Sequence, residues 1–338
     1  MNADLPPFLP PTAQGMARAA ALLKAGDIVA LPTETVYGLA ANALDETAVR
    51  KVFNAKGRPL RDPLIVHGLG EGFFRDFAVF TPTARALAKA FWPGPLTLVL
   101  RKTAAISPLI TAGRDTVAVR APAHPLMRGV IEACGLPLAA PSANPFGYLS
   151  PTRAEHVRAS FGTRVPWILD GGACDVGLES TIVDASDEAA APRILRPGPI
   201  AAEAVEKILG RAVALGGKTR AKSGEGMPAP GMMDRHYSPR TPLVLLEDGA
   251  TPAMPKPGRR AAWVRLNISD PAGTSSQAIE IFRLAESGDL AGAAHNLYDL
   301  LRQLDTGGYA TIWCDVAPDN GLGRALNDRL RRAAAKAD

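Results

Sequence analysis

One long stretch of this chain fits neither strand nor helix, and it divides everything around it. After about residue 210 the sequence reads GGKTRAKSGEGMPAPGMMDRHYSPRTP, where Gly, Pro, Ser and Lys leave no hydrophobic period. Segments of that length without a period are linkers or functional loops. On both sides of it, short apolar runs alternate with helix-compatible segments, which reads as an α/β unit in each half. The expected division is 1–210, a linker over 211–241, and a smaller unit at 242–338. A chain of 338 residues can hold two such domains.

Within the first unit, TAQGMARAAALLKAGD predicts a helix capped at Gly26, followed by a buried strand that breaks at Pro32. Further strands are expected at PLIVH, LTLVL, TVAVR, WILD, STIVD and RILR, with helices over 46–53, 83–91 and 124–134. Some connections are short, so the sheet should be mixed rather than purely parallel. In the second unit, PLVLLE, AAWVRL and YATIWCDV read as strands. DLAGAAHNLYDLLRQLD and GLGRALNDRLRRAAAK read as amphipathic helices.

Composition narrows the function classes. The hydrophobic share of 47% with mixed charge describes a globular protein with proper cores. A net charge of +5 suits anionic small molecules or glancing RNA contact, but the chain lacks the Lys/Arg blocks of a dedicated nucleic-acid binder. Cys134, Cys174 and Cys314 form no CxxC pair and read as buried thiols in a reducing compartment. No run of 18 apolar residues predicts a membrane span, and the proline-rich start lacks a basic n-region, so a cytoplasmic protein is expected. GGKTR imitates the end of a phosphate-binding loop, but Ala212 stands where that motif needs its first glycine.

Four segments carry polar groups on stiff backbone. NAKGRPLRDPLIVH sets Lys56, Arg58 and Arg61 on a Gly/Pro-shaped loop before a strand, a pairing of ammonium and guanidinium that suits a polyphosphate. AAPSANPFGYLSPT holds Ser142, Asn144 and Ser150. GLESTIVD brings Ser180 and Thr181 to the mouth of a strand. Arg120 and Arg196 each end a strand just before a proline, at the sheet edge where α/β proteins commonly bind ligands. Taken singly, each segment has an ordinary reading as turn, cap or solvated face.

In this order, however, the motifs resemble one family: the two-domain L-threonylcarbamoyladenylate synthases, which have a YrdC-like domain. The matching stretches are LPTETVYGL, AKGRP with DPLIVH, FWPGPLTLVL, TVAVRAPAH, PSAN with SPT, ESTIVD and LRPG. PGMMDRHYSPRTPL resembles the family's linker, and the C-terminal helices resemble its second domain. The resemblance covers about residues 12–336. It implies a YrdC-like twisted mixed sheet followed by a smaller Rossmann-like α/β domain. It also implies that L-threonine, bicarbonate or carbon dioxide, and ATP give threonylcarbamoyl-AMP and pyrophosphate, for use by downstream tRNA threonylcarbamoyl-transfer proteins, with weak tRNA contact.

By position, the resemblance gives Thr35, His67, Arg120, Ala140 and Ser180 to L-threonine. It gives Lys56, Arg58, Asp62, Thr116, Ser142, Asn144, Ser150, Arg196 and Tyr237 to ATP, with Tyr237 making the linker a lid. The carbamate formed on the substrate is the nucleophile, so no catalytic nucleophile of the protein is expected. Mg²⁺ would arrive with ATP, without a protein metal site. Two positions depart from the family's pattern: Asp62 replaces an Asn, leaving an anion for Arg61 or a metal to offset, and Phe146 replaces a small polar residue. The alternatives are a carbamoyl-transfer enzyme on the same domain, disfavoured by the missing CxxC pairs, and a non-catalytic RNA-binding module.

Overall fold

The computed structural model of the chain describes residues 6–216, 226–233, 236–247, 250–266, 278–286 and 288–335. Its larger lobe is built on one ten-stranded mixed sheet. The strands are β1 (Val29–Leu31), β2 (Gly38–Asn42), β3 (Ile65–His67), β4 (Ala78–Val79), β5 (Leu96–Lys102), β6 (Thr116–Arg120), β7 (Leu138–Ala139), β8 (Thr181–Asp184), β9 (Arg193–Arg196) and β10 (Ala214–Leu215). Their order is β1-β2-β7-β3-β6-β5-β8-β9-β10, with β4 added beside β5. The pairs β3/β6, β5/β8 and β9/β10 are parallel and the others antiparallel.

The smaller lobe carries β11 (Leu243–Leu246), β12 (Ala261–Arg265), β13 (Ile279–Arg283) and β14 (Thr311–Asp315) in an all-parallel sheet ordered β11-β14-β12-β13. Helices Leu290–Thr306 and Gly321–Ala334 bury Leu297, Tyr298, Leu301, Leu326 and Leu330 against one face of it. Parallel strands with helical crossovers are what the second half's alternation predicts.

Several expectations shift in detail. WILD forms only isolated bridges, Leu9 to Leu169 and Ala30 to Ile168, because Pro166 and the chain leaving at Asp170 give it no ladder to extend. The strands β2, β4, β7, β10 and β13 had no distinct sequence signal. Strand β10 joins the first sheet beyond residue 210, so the larger lobe continues at least to Gly216. The first helix closes at Lys24 with Ala25 as the cap residue, and Gly26 follows it. GGKTR, apart from its first glycine, lies outside the described residues, as do Asp234 and Arg235 of the linker. All three cysteines are buried thiols. Among the described residues no helix is long and apolar enough to cross a membrane.

Candidate active site

Neighbouring strands β3 and β6 fix the first half of the site. Their parallel register sets His67 opposite Arg120, at the carboxyl ends of both strands. Arg120 is 3% exposed. It donates Nη1–H to Thr35 Oγ1 at 2.9 Å and Nε–H to the Gly94 carbonyl at 3.3 Å. Its Nη2 also meets Glu34 Oε1 at 2.7 Å, an ion contact whose angles do not make a hydrogen bond. Burial works to raise the Glu34 carboxyl, but Arg120 outweighs it and holds the carboxyl below its ordinary value. His67 is pushed down to about 3 by burial and then by Arg120, so it faces the cleft as neutral imidazole.

Thr33 Oγ1 donates to the Val36 carbonyl at 2.7 Å, which uses its single proton. It also receives the Thr35 and Val36 backbone N–H groups at 3.1 and 3.2 Å, and Thr35 Oγ1 lies 2.8 Å from it while accepting from Arg120. Thr35 thus offers a ligand its hydroxyl. Ser180 Oγ lies 2.7 Å from Thr97 Oγ1 and accepts from Arg196 Nη2 at 3.2 Å. Thr35, His67, Arg120, Ala140 and Ser180 all line one cleft. The Ala140 N–H is taken by the Ile65 carbonyl at 3.1 Å, so the backbone group it can offer is its carbonyl.

The second half grows from the end of helix Glu46–Lys56. Gly57 closes it in the left-handed region (φ 63°), with its N–H on the Asn54 carbonyl and that of Arg58 on Phe53. That cap turns Lys56 and Arg58 inward, where they are 3% and 8% exposed. Lys56 Nζ donates to the carbonyls of Ser142 and Asn144, tying the cationic loop to the PSAN segment. Burial and then neighbouring Arg58 push the Lys56 ammonium well below its usual value. Arg58 donates to the carbonyls of Asp62 and Pro63, and its Nη2 meets Asp62 Oδ2 at 2.9 Å. Burial raises the Asp62 carboxyl against the pull of Arg58 and Lys56.

Arg58, Ser142, Arg196 and Tyr237 line the same cleft. Lys56, Asp62, Asn144 and Ser150 stand directly behind it through the contacts just given and through Ser150, which donates to the cleft-lining Glu179. Thr116 is the predicted residue that the fold does not bring to the cleft. It begins β6, four residues from Arg120, beside a separate open groove with Arg101 and Asp187. It nevertheless shares the Ala118–Arg120 face by strand alternation. Linker residues Met227, Ala229 and Met232 cover Ala118 on that face, together with Ile65, Val99 and Ile182.

The linker closes the cleft as well. Pro230, Gly231, His236 and Tyr237 are part of its wall, and the space left is about 40 Å³, which holds only a few waters. Gly231 (φ 73°) tolerates no side chain, since a Cβ would lie 2.4 Å from the Tyr237 hydroxyl. Tyr237 is itself in the left-handed region (φ 60°) and 1% exposed, with its hydroxyl 3.5 Å from Arg196 Nη1.

Both departures from the family pattern acquire a local explanation. Arg58 offsets Asp62, rather than Arg61, whose side chain is exposed. Phe146 packs edge-on against His236 at 5.6 Å, giving the linker an aromatic seat. Residues that sequence reasoning missed are Glu34, Thr97 and Glu179, together with Arg302 and Arg329 of the smaller lobe. Glu34 and Glu179 sat unassigned within quoted motifs, as lone acids among apolar and hydroxyl residues; Arg302 and Arg329 gave no signal beyond helical charge.

Comparison with known proteins covers both lobes. A family described as telomere recombination (Sua5_yciO_yrdC) matches residues 21–198, and the threonylcarbamoyl-AMP synthase C-terminal domain family matches 200–335. Threonylcarbamoyl-AMP synthase of Pyrococcus abyssi is 40% identical over 320 residues, covering 94% of this chain and 93% of that protein. The Bacillus subtilis enzyme of the same name is 41% identical, covering 94% and 92%. The crystal structure of P. abyssi Sua5 complexed with L-threonine superposes with a TM-score of 0.84 at 38% identity, over 96% of this chain and 95% of that one. Two lobes in the family's order, with one buried cationic cleft in the first, place this chain in the two-domain threonylcarbamoyl-AMP synthase family.

Proposed function

We propose that the protein joins L-threonine, bicarbonate or carbon dioxide, and ATP into threonylcarbamoyl-AMP with release of pyrophosphate, within the tRNA threonylcarbamoyladenosine pathway. The observation carrying this reading is the juxtaposition in one buried cleft of an amino-acid-sized set, Thr35, His67, Arg120 and Ser180, with a cation cluster, Lys56, Arg58 and Arg196. Arg120 pairs with the threonine carboxylate, displacing the angularly poor contact with Glu34. The Thr35 hydroxyl meets the substrate amine. Neutral His67 adds no competing cation.

The threonine amine, once unprotonated, attacks carbon dioxide; its nitrogen loses a proton and a carbamate forms. A carbamate oxygen then attacks the α-phosphorus of ATP, the bond to the β-phosphate oxygen breaks, and pyrophosphate leaves with that electron pair. The protein's part is alignment and charge neutralisation. Lys56, Arg58 and Arg196 grip the phosphates, and an arriving polyanion restores the ammonium that burial disfavours on Lys56. Ser142, Asn144 and Ser150 complete the phosphate loop, and Thr116 marks the nucleotide's far end on the same strand face. Mg²⁺ carried with ATP would supply further neutralisation at the phosphates.

ATP can enter only when the linker withdraws, and its return with Tyr237 excludes water from a labile adduct. The product passes to downstream transfer proteins, with weak tRNA contact, in the cytoplasm. The test is incubation of pure protein with ATP, labelled bicarbonate and each amino acid in turn. Pyrophosphate should appear only with all three components and fastest with threonine. Release without bicarbonate, or without preference among amino acids, would sink the reading.

A further inference from the structure

We propose that the smaller lobe supplies positioning residues for the nucleotide end of the cleft, Arg302, Arg329 and Tyr298, and that this end is complete only with the two lobes docked. The inference rests on reading that end as the ATP site.

Its basis is a buried polar seam around Glu179, which lines the cleft beside Ser180. The Glu179 carboxylate accepts from the Ser150 hydroxyl, from the Tyr298 hydroxyl at 3.1 Å, and from Arg329 Nε at 2.7 Å. Tyr298 and Arg329 stand on the two helices of the smaller lobe. Arg329 is 1% exposed and also donates to the carbonyls of Pro197 at 3.0 Å and Glu179 at 3.3 Å. Arg302, on the first of those helices, donates to the carbonyls of Leu149 and Ser150. One arginine therefore fixes the Ser150 backbone, while the other fixes the carboxylate that orients the Ser150 hydroxyl.

A seam meant only to join lobes would gain little from this arrangement, since apolar replacements of buried ion pairs are often equally stable. What a buried pair does provide is a fixed place for a charge. Arg196, a cation of the phosphate clamp, donates to the Ser180 hydroxyl and carbonyl, next to Glu179 in the chain. Burial works to raise the Glu179 carboxyl, but Arg329, Arg196 and the bonds from Arg329 and Ser150 outweigh it and keep it ionised. Arg329 occupies that carboxylate. Without it, Glu179 would turn its full charge on Arg196 and cancel part of the clamp. Arg329 thus acts on ATP binding through Glu179 and Arg196.

The experiment compares full-length wild type with Arg329→Met, Arg329→Lys and Arg302→Lys. KM for ATP and for threonine are read from pyrophosphate release, and threonine affinity separately by calorimetry. Losing a charged hydrogen-bond partner should raise the ATP KM of Arg329→Met roughly tenfold. Threonine affinity should stay within about twofold, and Arg329→Lys, which keeps the charge but loses the guanidinium fork, should recover only part of the loss. Adding Glu179→Gln to Arg329→Met should lower the ATP KM again, a coupling that a merely structural role would not give. Should Arg329→Met fail to fold, the two lysine variants carry the test: a rise in ATP KM alone supports the proposal. An unmoved ATP KM, or ATP and threonine terms worsening in equal proportion, overturns it. Wild type that releases no pyrophosphate would sink the functional reading first; normal wild-type turnover with an unmoved ATP KM in the variants sinks only this proposal.

Discussion

On the proposed reading, the two ends of the cleft, one for the amino acid and one for the nucleotide, are built on different principles. At the amino-acid end, Thr35 is held between Thr33 and Arg120, Ser180 is held between Thr97 and Arg196, and the receiving groups already face the cleft. At the nucleotide end, Lys56 and Arg58 are satisfied by the protein's own carbonyls and by Asp62, while the linker lies over the strand face beside them. Each end exchanges internal partners, but the first gives up one poorly aligned contact, Arg120 to Glu34, whereas the second must release several buried bonds. A site arranged this way would take threonine into a prepared seat and admit ATP only with rearrangement.

The contrast can be broken most directly at Arg120. Truncating one partner of a buried, hydrogen-bonded charge pair across a binding interface costs about 2–5 kcal/mol, so Arg120→Ala should weaken threonine binding about thirtyfold or more by calorimetry, with ATP binding little changed. A shift below about threefold would mean the amino-acid end is not the prepared one. Next comes Arg58→Ala, where a charged hydrogen bond worth about 1.5–3 kcal/mol predicts a ten- to hundredfold loss in ATP affinity or rate. Unaltered pyrophosphate release would remove Arg58 from the clamp.

A smaller effect of opposite sign is expected for Asp62→Asn. Relieving Arg58 of its buried internal anion should tighten ATP several-fold, on the order of 1 kcal/mol on the affinity scale; weaker binding would instead favour the carboxylate as a metal-water partner. The last test is the pH response. His67 is held near 3 in the fold against 6.5 unfolded, so the unfolded chain binds the extra proton between those values. Stability should therefore fall as pH drops below about 6.5, less steeply in His67→Gln, while threonine affinity shows no imidazole step between pH 5 and 8. Such a step would place a charged His67 in the cleft.

How far the sequence foretold this site depends on the kind of contact involved. TVAVR and RILR delivered Arg120 and Arg196 because a strand's end is a local signal, and Gly57 marked the turn that points Lys56 and Arg58 inward. The mixed sheet was legible in its long strands but not in β7 or β10, two-residue strands that exist only because neighbours offer them a ladder. Glu179 and Arg329 were illegible for a different reason. They lie 150 positions apart, and a buried pair across two lobes leaves no periodicity in either partner's own segment. Asp62 and Phe146 were visible as oddities, but their partners, Arg58 and His236, became apparent only in three dimensions.

The left-handed backbone at Tyr237 carries one further implication. A side-chain-bearing residue held there is disfavoured by about 1–2 kcal/mol, and the closed linker carries that cost whenever the ring is tucked in. In the proposed cycle, swinging outward would let the residue relax, so a Tyr237 lid would be sprung toward opening even though its resting position covers the cleft. Turnover would then be hastened by the same twist that weakens the resting lock, because an adduct sealed without such tension would leave slowly.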